Sequence, residues 1–269
     1  MDPDQLLERI NNMFNRGSKQ FSIIQEKIDL PMQLEYFEFS RKVGGEITVA
    51  DIPEKKDRLL NIETTIHEKK TILVQLALIE DPLAFRAIEA YVGKPDIELE
   101  MWAKMALNEN RMLLESGLLD ETQVFISTGL GGKGMLLRYF VVLTSKTGES
   151  FTETQCKIVR SEIEFALKNN QSKLEEINFQ DNIATVLALI PLQIPVNNIL
   201  TDALKECNIF GDFLSHNFLI TNVRVLTFDE IKTFLNKGEN PVESDLSIMQ
   251  GFELDELDDA DDEMDDDED

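Results

Sequence analysis

The sequence predicts an α+β protein. A helical region is expected over residues 1–119. A mixed β-sheet domain with element order ββαβαβα is expected over 120–236, then a linker and disordered acidic tail over 237–269. Three observations lead there. Apolar residues recur at helical spacing through most of the first 119 residues. After Asp120 the chain turns to β-branched and aromatic runs separated by helix-start signals. The last segment, Gly251 to Asp269, carries 13 acidic side chains and no lysine or arginine.

Leu6, Leu7, Ile10, Met13 and Phe14 give the first helical stripe, closed at Arg16-Gly17. Next, QFSIIQEKIDL looks helical, while QLEYFEF alternates as a strand does. Val43-Gly44-Gly45 and Asp51-Ile52-Pro53 break the chain. PEKKDRLLNIETTIHEKKTILVQLALIED then reads as one long helix or two. Asp81-Pro82 ends that pattern and opens another helix, because proline suits a first helical turn. Its stripe is Leu83, Ala87, Ile88 and Tyr91. Gly93-Lys94-Pro95-Asp96 punctuates before a helix that buries Leu99, Trp102, Ala103, Ala106 and Leu107.

Within this region TILVQLALIEDPLAFRAIEAYVGKPDIELEMWAKMAL, about residues 70–108, resembles a HEAT-like helical repeat unit. The shared features are Ala77-Leu78 before Asp81-Pro82, a helix with Ala87-Ile88, then Pro95-Asp96 and a helix with Leu99, Ala103 and Ala106-Leu107. The basic residue that such repeats often carry in the second helix is Glu100 here. The resemblance implies paired helices and a helical protein-binding surface.

In the second region Thr122 to Ser127 and MLLRYFVVLTS read as strands. Ser150 to Glu153 and Thr152 to Gln155 both have capping-box spacing. The helix that follows places Cys156, Val159, Ile163, Ala166 and Leu167 on its apolar face. NIATVLALIP is apolar on both faces from Ile183 to Ile190, as a strand buried on both sides should be. Pro195 opens a helix with Val196, Ile199, Leu200, Ala203, Leu204 and Cys207. NFLITNVRVL reads as a strand, and Thr227 to Glu230 as a further capping box before Ile231, Phe234 and Leu235. Only one strand is legible between the first two of these helices. A ferredoxin-like order, which needs two there, is therefore not expected.

The stretch STGLGGKGMLLRYF raises the question of phosphate binding. A nucleotide loop needs a hydroxyl residue after its lysine and then a helix. Here Gly134 follows Lys133, and the next residues are a strand candidate. A dinucleotide fingerprint also needs that helix. The bland reading is a hairpin loop in which glycines supply positive φ. The alternative is a small-ligand or phosphate cradle, in a domain that could be an enzyme. It would use Ser127, Thr128, Gly129, Gly131, Gly132, Lys133 and Gly134.

Other chemistry is sparse. His67 lies in HEKKT, where a zinc-protease helix would need a second histidine at position 71. His216 follows Ser215 with no spacing that favours a nucleophilic site. Cys156 and Cys207 read as reduced thiols of a cytoplasmic protein. No metal site, cofactor site or catalytic set is legible.

The net charge is −25, of which the terminal segment holds 13 negative charges, leaving −12 for the rest. That balance argues against nucleic acid, whose phosphates need clustered Lys and Arg. The densest basic groups, Lys55-Lys56-Asp57-Arg58 and Lys69-Lys70, have acids beside them. No apolar run approaches the ~20 residues of a spanning helix, so no membrane attachment is expected. In the tail, Phe252, Leu254, Leu257 and Met264 punctuate the acids as a candidate recognition segment for a basic partner. The expected function is non-enzymatic: a cytoplasmic adaptor that binds another protein through a helical surface and an acidic tail. A chaperone-like holder of basic clients is a further alternative.

Overall fold

The computed structural model describes residues 19–43, 48–119 and 122–237. The helix expected from Leu6 to Phe14, the Gly44-Gly45 break and the acidic tail lie outside these residues. Among the described residues no helix is long and apolar enough to cross a membrane. The chain forms two compact units, divided between Met135 and Leu136. Its class is α+β: a helical N-terminal region followed by an antiparallel sheet with helices.

The first unit opens with strand β1 (Lys19–Ile23) and helix α1 (Leu30–Lys42). The sequence left residues 18–53 open between helix and strand, and both assignments go against the local patterns of QFSIIQEKIDL and QLEYFEF. Pro31 sits in the first turn of α1, and the buried positions Leu30, Gln33 and Tyr36 recur three apart along it. The side chain that had suggested alternation, Tyr36, is thus one of a helical stripe. β1 pairs in parallel with β2 (Thr122–Ile126), with Lys19 opposite Thr122 and Ile23 opposite Ile126.

A 3-10 turn at Val49–Asp51 leads into α2 (Ile52–Leu60), and α3 (Ile66–Ala77) follows. The long helical pattern is two helices because Thr65 starts a new one. Its hydroxyl accepts from the Glu68 amide, and the Glu68 carboxylate accepts from the Thr65 amide. α4 (Pro82–Val92) begins where the Asp81 carboxylate accepts from the Leu83 amide at 2.7 Å. α5 (Glu100–Leu119) completes the helices. Leu73, Leu76, Ile88, Leu99 and Trp102 are wholly buried between them. Each such side chain stabilises the fold by roughly 1.5–3 kcal/mol. Ala77, Ala84, Ala87, Ala103 and Ala106 are also inaccessible and let the helices approach closely. Trp102 meets Tyr36 and Phe39 edge-on, with centroids at 5.1 and 5.3 Å.

The second unit contains β4 (Leu136–Ser145), α6 (Glu153–Asn169), β5 (Lys173–Gln180) and β6 (Ile183–Pro191). It continues with α7 (Val196–Ile209), β7 (Leu214–Thr221) and α8 (Phe228–Lys237). A two-residue strand, β3 (Gly132–Lys133), precedes it. The pairs β4–β6, β5–β6 and β4–β7 are all antiparallel. The sheet expected to be mixed is therefore antiparallel, and its long strands stand in the order β5-β6-β4-β7.

The element order is β-α-β-β-α-β, the split βαβ of ferredoxin-like domains. It corrects the ββαβαβα reading in two ways. β5 was not legible, and β2 lies with β1 instead of in this sheet. The central strand behaves as its composition predicted: β6 is buried at every position from Ile183 to Ile190. Helices α6 and α7 cover one face through Val159, Ile163, Leu200 and Leu204, against Val141, Leu143, Val186 and Ala188. Thr152, not Ser150, caps α6, and Thr227 with Glu230 forms the expected box before α8. β7 begins three residues earlier than predicted and ends at Thr221, whose hydroxyl accepts from the Val223 amide.

Candidate functional site

The glycine stretch is built into the first unit. β2 delivers Ser127 and Thr128 to the side chain of Gln33, which is 4% exposed. The Ser127 hydroxyl donates to Gln33 Oε1 at 2.5 Å. Gln33 Nε2 donates to the carbonyls of Ile28 at 2.7 Å and Thr128 at 3.4 Å. The Gly131 amide closes a turn onto the Thr128 carbonyl at 3.0 Å. Gly131 has φ +62°, and a Cβ there would stand 2.3 Å from the Glu26 carbonyl oxygen. Thr128 to Gly132 are buried, whereas Lys133 and Gly134 are exposed.

The proposed ligand residues are thus brought together, but as a plug against the segment 24–33. Acceptor oxygens of Gln25 and Glu26 face Gly131, which is the wrong polarity for an anion. The element that follows is the strand β4, so the loop does not run on into a helix as a phosphate loop does. The hairpin reading holds for the end of the stretch, where β3 lies beside β4 and Gly134, at φ +60°, is in the turn between them, whereas β2 pairs with β1.

Two polar clusters lie among the helices. Tyr36 donates to the Glu109 carboxylate, which also accepts from Ser40 at 3.4 Å. Burial pushes the Glu109 carboxyl up, while these two hydrogen bonds pull it down. The Tyr36 phenol is raised well above its usual value, by burial first and the Glu109 charge second. In the second cluster Lys69 donates to Asp96 at 2.6 Å, and Tyr91 donates to the same oxygen at 2.6 Å. Hydrogen bonds from Lys69 and Tyr91 lower the Asp96 carboxyl. The first cluster ties α1 to α5, the second ties α3 and α4 to the turn that carries Asp96, and neither lines a described cavity.

The remaining candidates separate. His67 is exposed, edge-on to Phe39 at 5.8 Å, and His216 is exposed on β7. Cys207 is buried, its thiol pushed up to about 12 by burial, and Cys156 is half-buried with a thiol raised by the same cause. Thiols held protonated are weak nucleophiles. Among the described residues no group of three or more His, Cys, Asp or Glu could hold a metal ion. An open depression of about 460 Å³ on the second unit is lined by Ser161, Glu164, Phe165, Lys168 and Lys173 among others. Phe252, Leu254, Leu257 and Met264 lie outside the described residues.

The feature that sequence reading missed is apolar. Leu78, Leu83 and Leu118 are 49%, 59% and 83% exposed at the turn between α3 and α4 and the end of α5. The helical pattern had placed Leu83 on a buried stripe. A usable signal was present in LIEDPL, where leucines flank a helix break and cannot both face the core.

No protein-family model matches the chain, and no curated protein matches it. Among solved structures, a REP-associated tyrosine transposase bound to a REP hairpin is similar over 37% of this chain and 68% of that chain. The identity is 11% and the TM-score 0.29, which supports no statement about activity or ligand here.

Proposed function

We propose that this chain is a non-enzymatic protein-binding module whose helical unit supplies the contact surface. The observation that carries the reading is the exposure of Leu78 and Leu83 at the turn between α3 and α4 and of Leu118 at the end of α5. The HEAT-like likeness of residues 70–108 belongs to the same proposal: α3, α4 and α5 pack on one another with alanines where they meet. The acidic tail would steer a basic partner at long range. Free Cys156 and Cys207 agree with action in the cytoplasm.

The test is affinity capture with the full chain, followed by reconstitution of the recovered protein with purified material. A saturable binary complex is the expected result. The reading fails if no captured protein reconstitutes while nucleotides or phosphorylated metabolites raise Tm and Lys133→Ala abolishes the rise.

A further inference from the structure

We propose that the corner formed by Leu78, Glu80, Leu83 and Leu118 docks an amphipathic segment of a partner protein rich in lysine and arginine. This rests on the protein-binding reading and names the partner's chemistry.

The corner is held as one surface. The buried Asn110 side chain of α5 donates to the carbonyls of Leu76, Ala77 and Ile79 at 3.1, 3.1 and 2.8 Å. That ties α5 to the turn that ends α3. Further along, a Cβ on Gly117 would fall 1.7 Å from Glu80 Oε1. The Glu80 carboxylate therefore lies on the α5 backbone, next to Leu118. Leu78 stands two residues before it and Leu83 three residues after.

Carboxylates outnumber cations at the corner: Glu80, Asp81 and Glu115 stand against Arg111. Glu80 and Glu115 make no ion pair among the described residues, and Asp81 caps α4. α3 and α5 end here, and α4 starts here with its electropositive N-terminus capped by the Asp81 carboxylate. Three basic side chains of these helices are paired with carboxylates, and a fourth keeps its charge over an aromatic ring. Lys69 holds Asp96, Lys70 holds Glu35, Arg86 holds Glu89, and Arg111 lies over the Phe85 ring.

An aliphatic surface ringed by unpaired carboxylates fits a segment with leucine-like side chains on one face and cations beside them. It repels the chain's own acidic segment Gly251 to Asp269, and a second copy of the same corner.

The probe is a labelled synthetic 16-residue helix of leucine and lysine, titrated by fluorescence anisotropy into the full chain. We expect Leu83→Ser/Leu118→Ser and Glu80→Lys/Glu115→Lys each to weaken it at least tenfold, with the thermal melt unchanged. A matched leucine–glutamate peptide should not bind. The proposal is overturned if both double variants bind the probe as wild type does, which would assign the binding to the tail, or if wild type does not bind it. Should a reconstituted partner still bind in either case, the protein-binding reading survives and the corner alone fails.

Discussion

Gly131 faces the carbonyl oxygen of Glu26 so closely that a Cβ on the glycine would come within 2.3 Å of it. Real Cβ atoms do not approach a backbone oxygen this way, and φ at Gly131 is +62°. Gly131→Ala is therefore expected to destabilise the first unit by about 3 kcal/mol, from strain and overpacking together. Gly134 has φ +60° but open space around it, so Gly134→Ala should cost only about 1 kcal/mol. Urea denaturation of the two variants compares them directly. Equal losses would mean that the close approach is not a constraint.

The Glu109 carboxyl sits beside Tyr36 with no cation among its described partners. Its folded pKa is raised above the unfolded value of about 4.3, so the fold favours the protonated form. That contribution is complete below the unfolded value and is lost as pH rises through the folded one. Glu109→Gln, which stays neutral, should equal or exceed wild type in stability at neutral pH. The difference should shrink as pH falls toward 4.3. Melting curves across that range give the answer, and a variant that loses stability most at neutral pH would refute the assignment.

Lys69 is 4% exposed and depends on Asp96 for its counter-charge. Asp96→Asn leaves that ammonium unpaired, at a cost of about 2 kcal/mol, allowing for the partial exposure of Asp96. Lys69→Met combined with Asp96→Asn should recover most of the loss, since an apolar side chain of similar volume fits a buried site. For Asp96 the sign is opposite to Glu109. Its lowered carboxyl gives stability above the unfolded value of about 3.9 that is lost as pH falls through the folded one. Chemical denaturation of the single and double variants measures the coupling.

Asn110 donates to three carbonyls while inaccessible to solvent. Asn110→Leu strips those acceptors at the end of α3 and should destabilise by about 2–3 kcal/mol. Amide exchange should quicken around Leu78 to Glu80 in particular. A uniform change across the unit would show that the side chain only fills space.

Helices were legible where a cap and an apolar stripe coincided, as at Asp81-Pro82 with Ala87, Ile88 and Tyr91. β6 was legible because both of its faces are buried, which makes its composition uniformly apolar. β5 was hidden by a bulge. The register shift between Leu174 and Glu176 separates the inward-facing Leu174 and Ile177 by three positions, which breaks the period of two. Arg138 then neutralises Glu175 at 2.5 Å, a cross-strand pair that local pattern cannot show.

β1 was not legible because its partner is 103 residues away, and parallel pairing leaves no turn signal. The glycine stretch announced a special backbone but not its cause. The cause is a close approach by Glu26, known only once the chain has folded. The leucine corner was half-legible: LIEDPL shows the break, while the seating of Glu80 on Gly117 depends on α5.

Hydrogen–deuterium exchange of the full chain, with and without the leucine–lysine helix, tests the docking account most directly. It predicts slowed exchange at the turn from Leu78 to Leu83 and in the last turn of α5, with the second unit unchanged. Protection confined to other elements, or none at all, would contradict it.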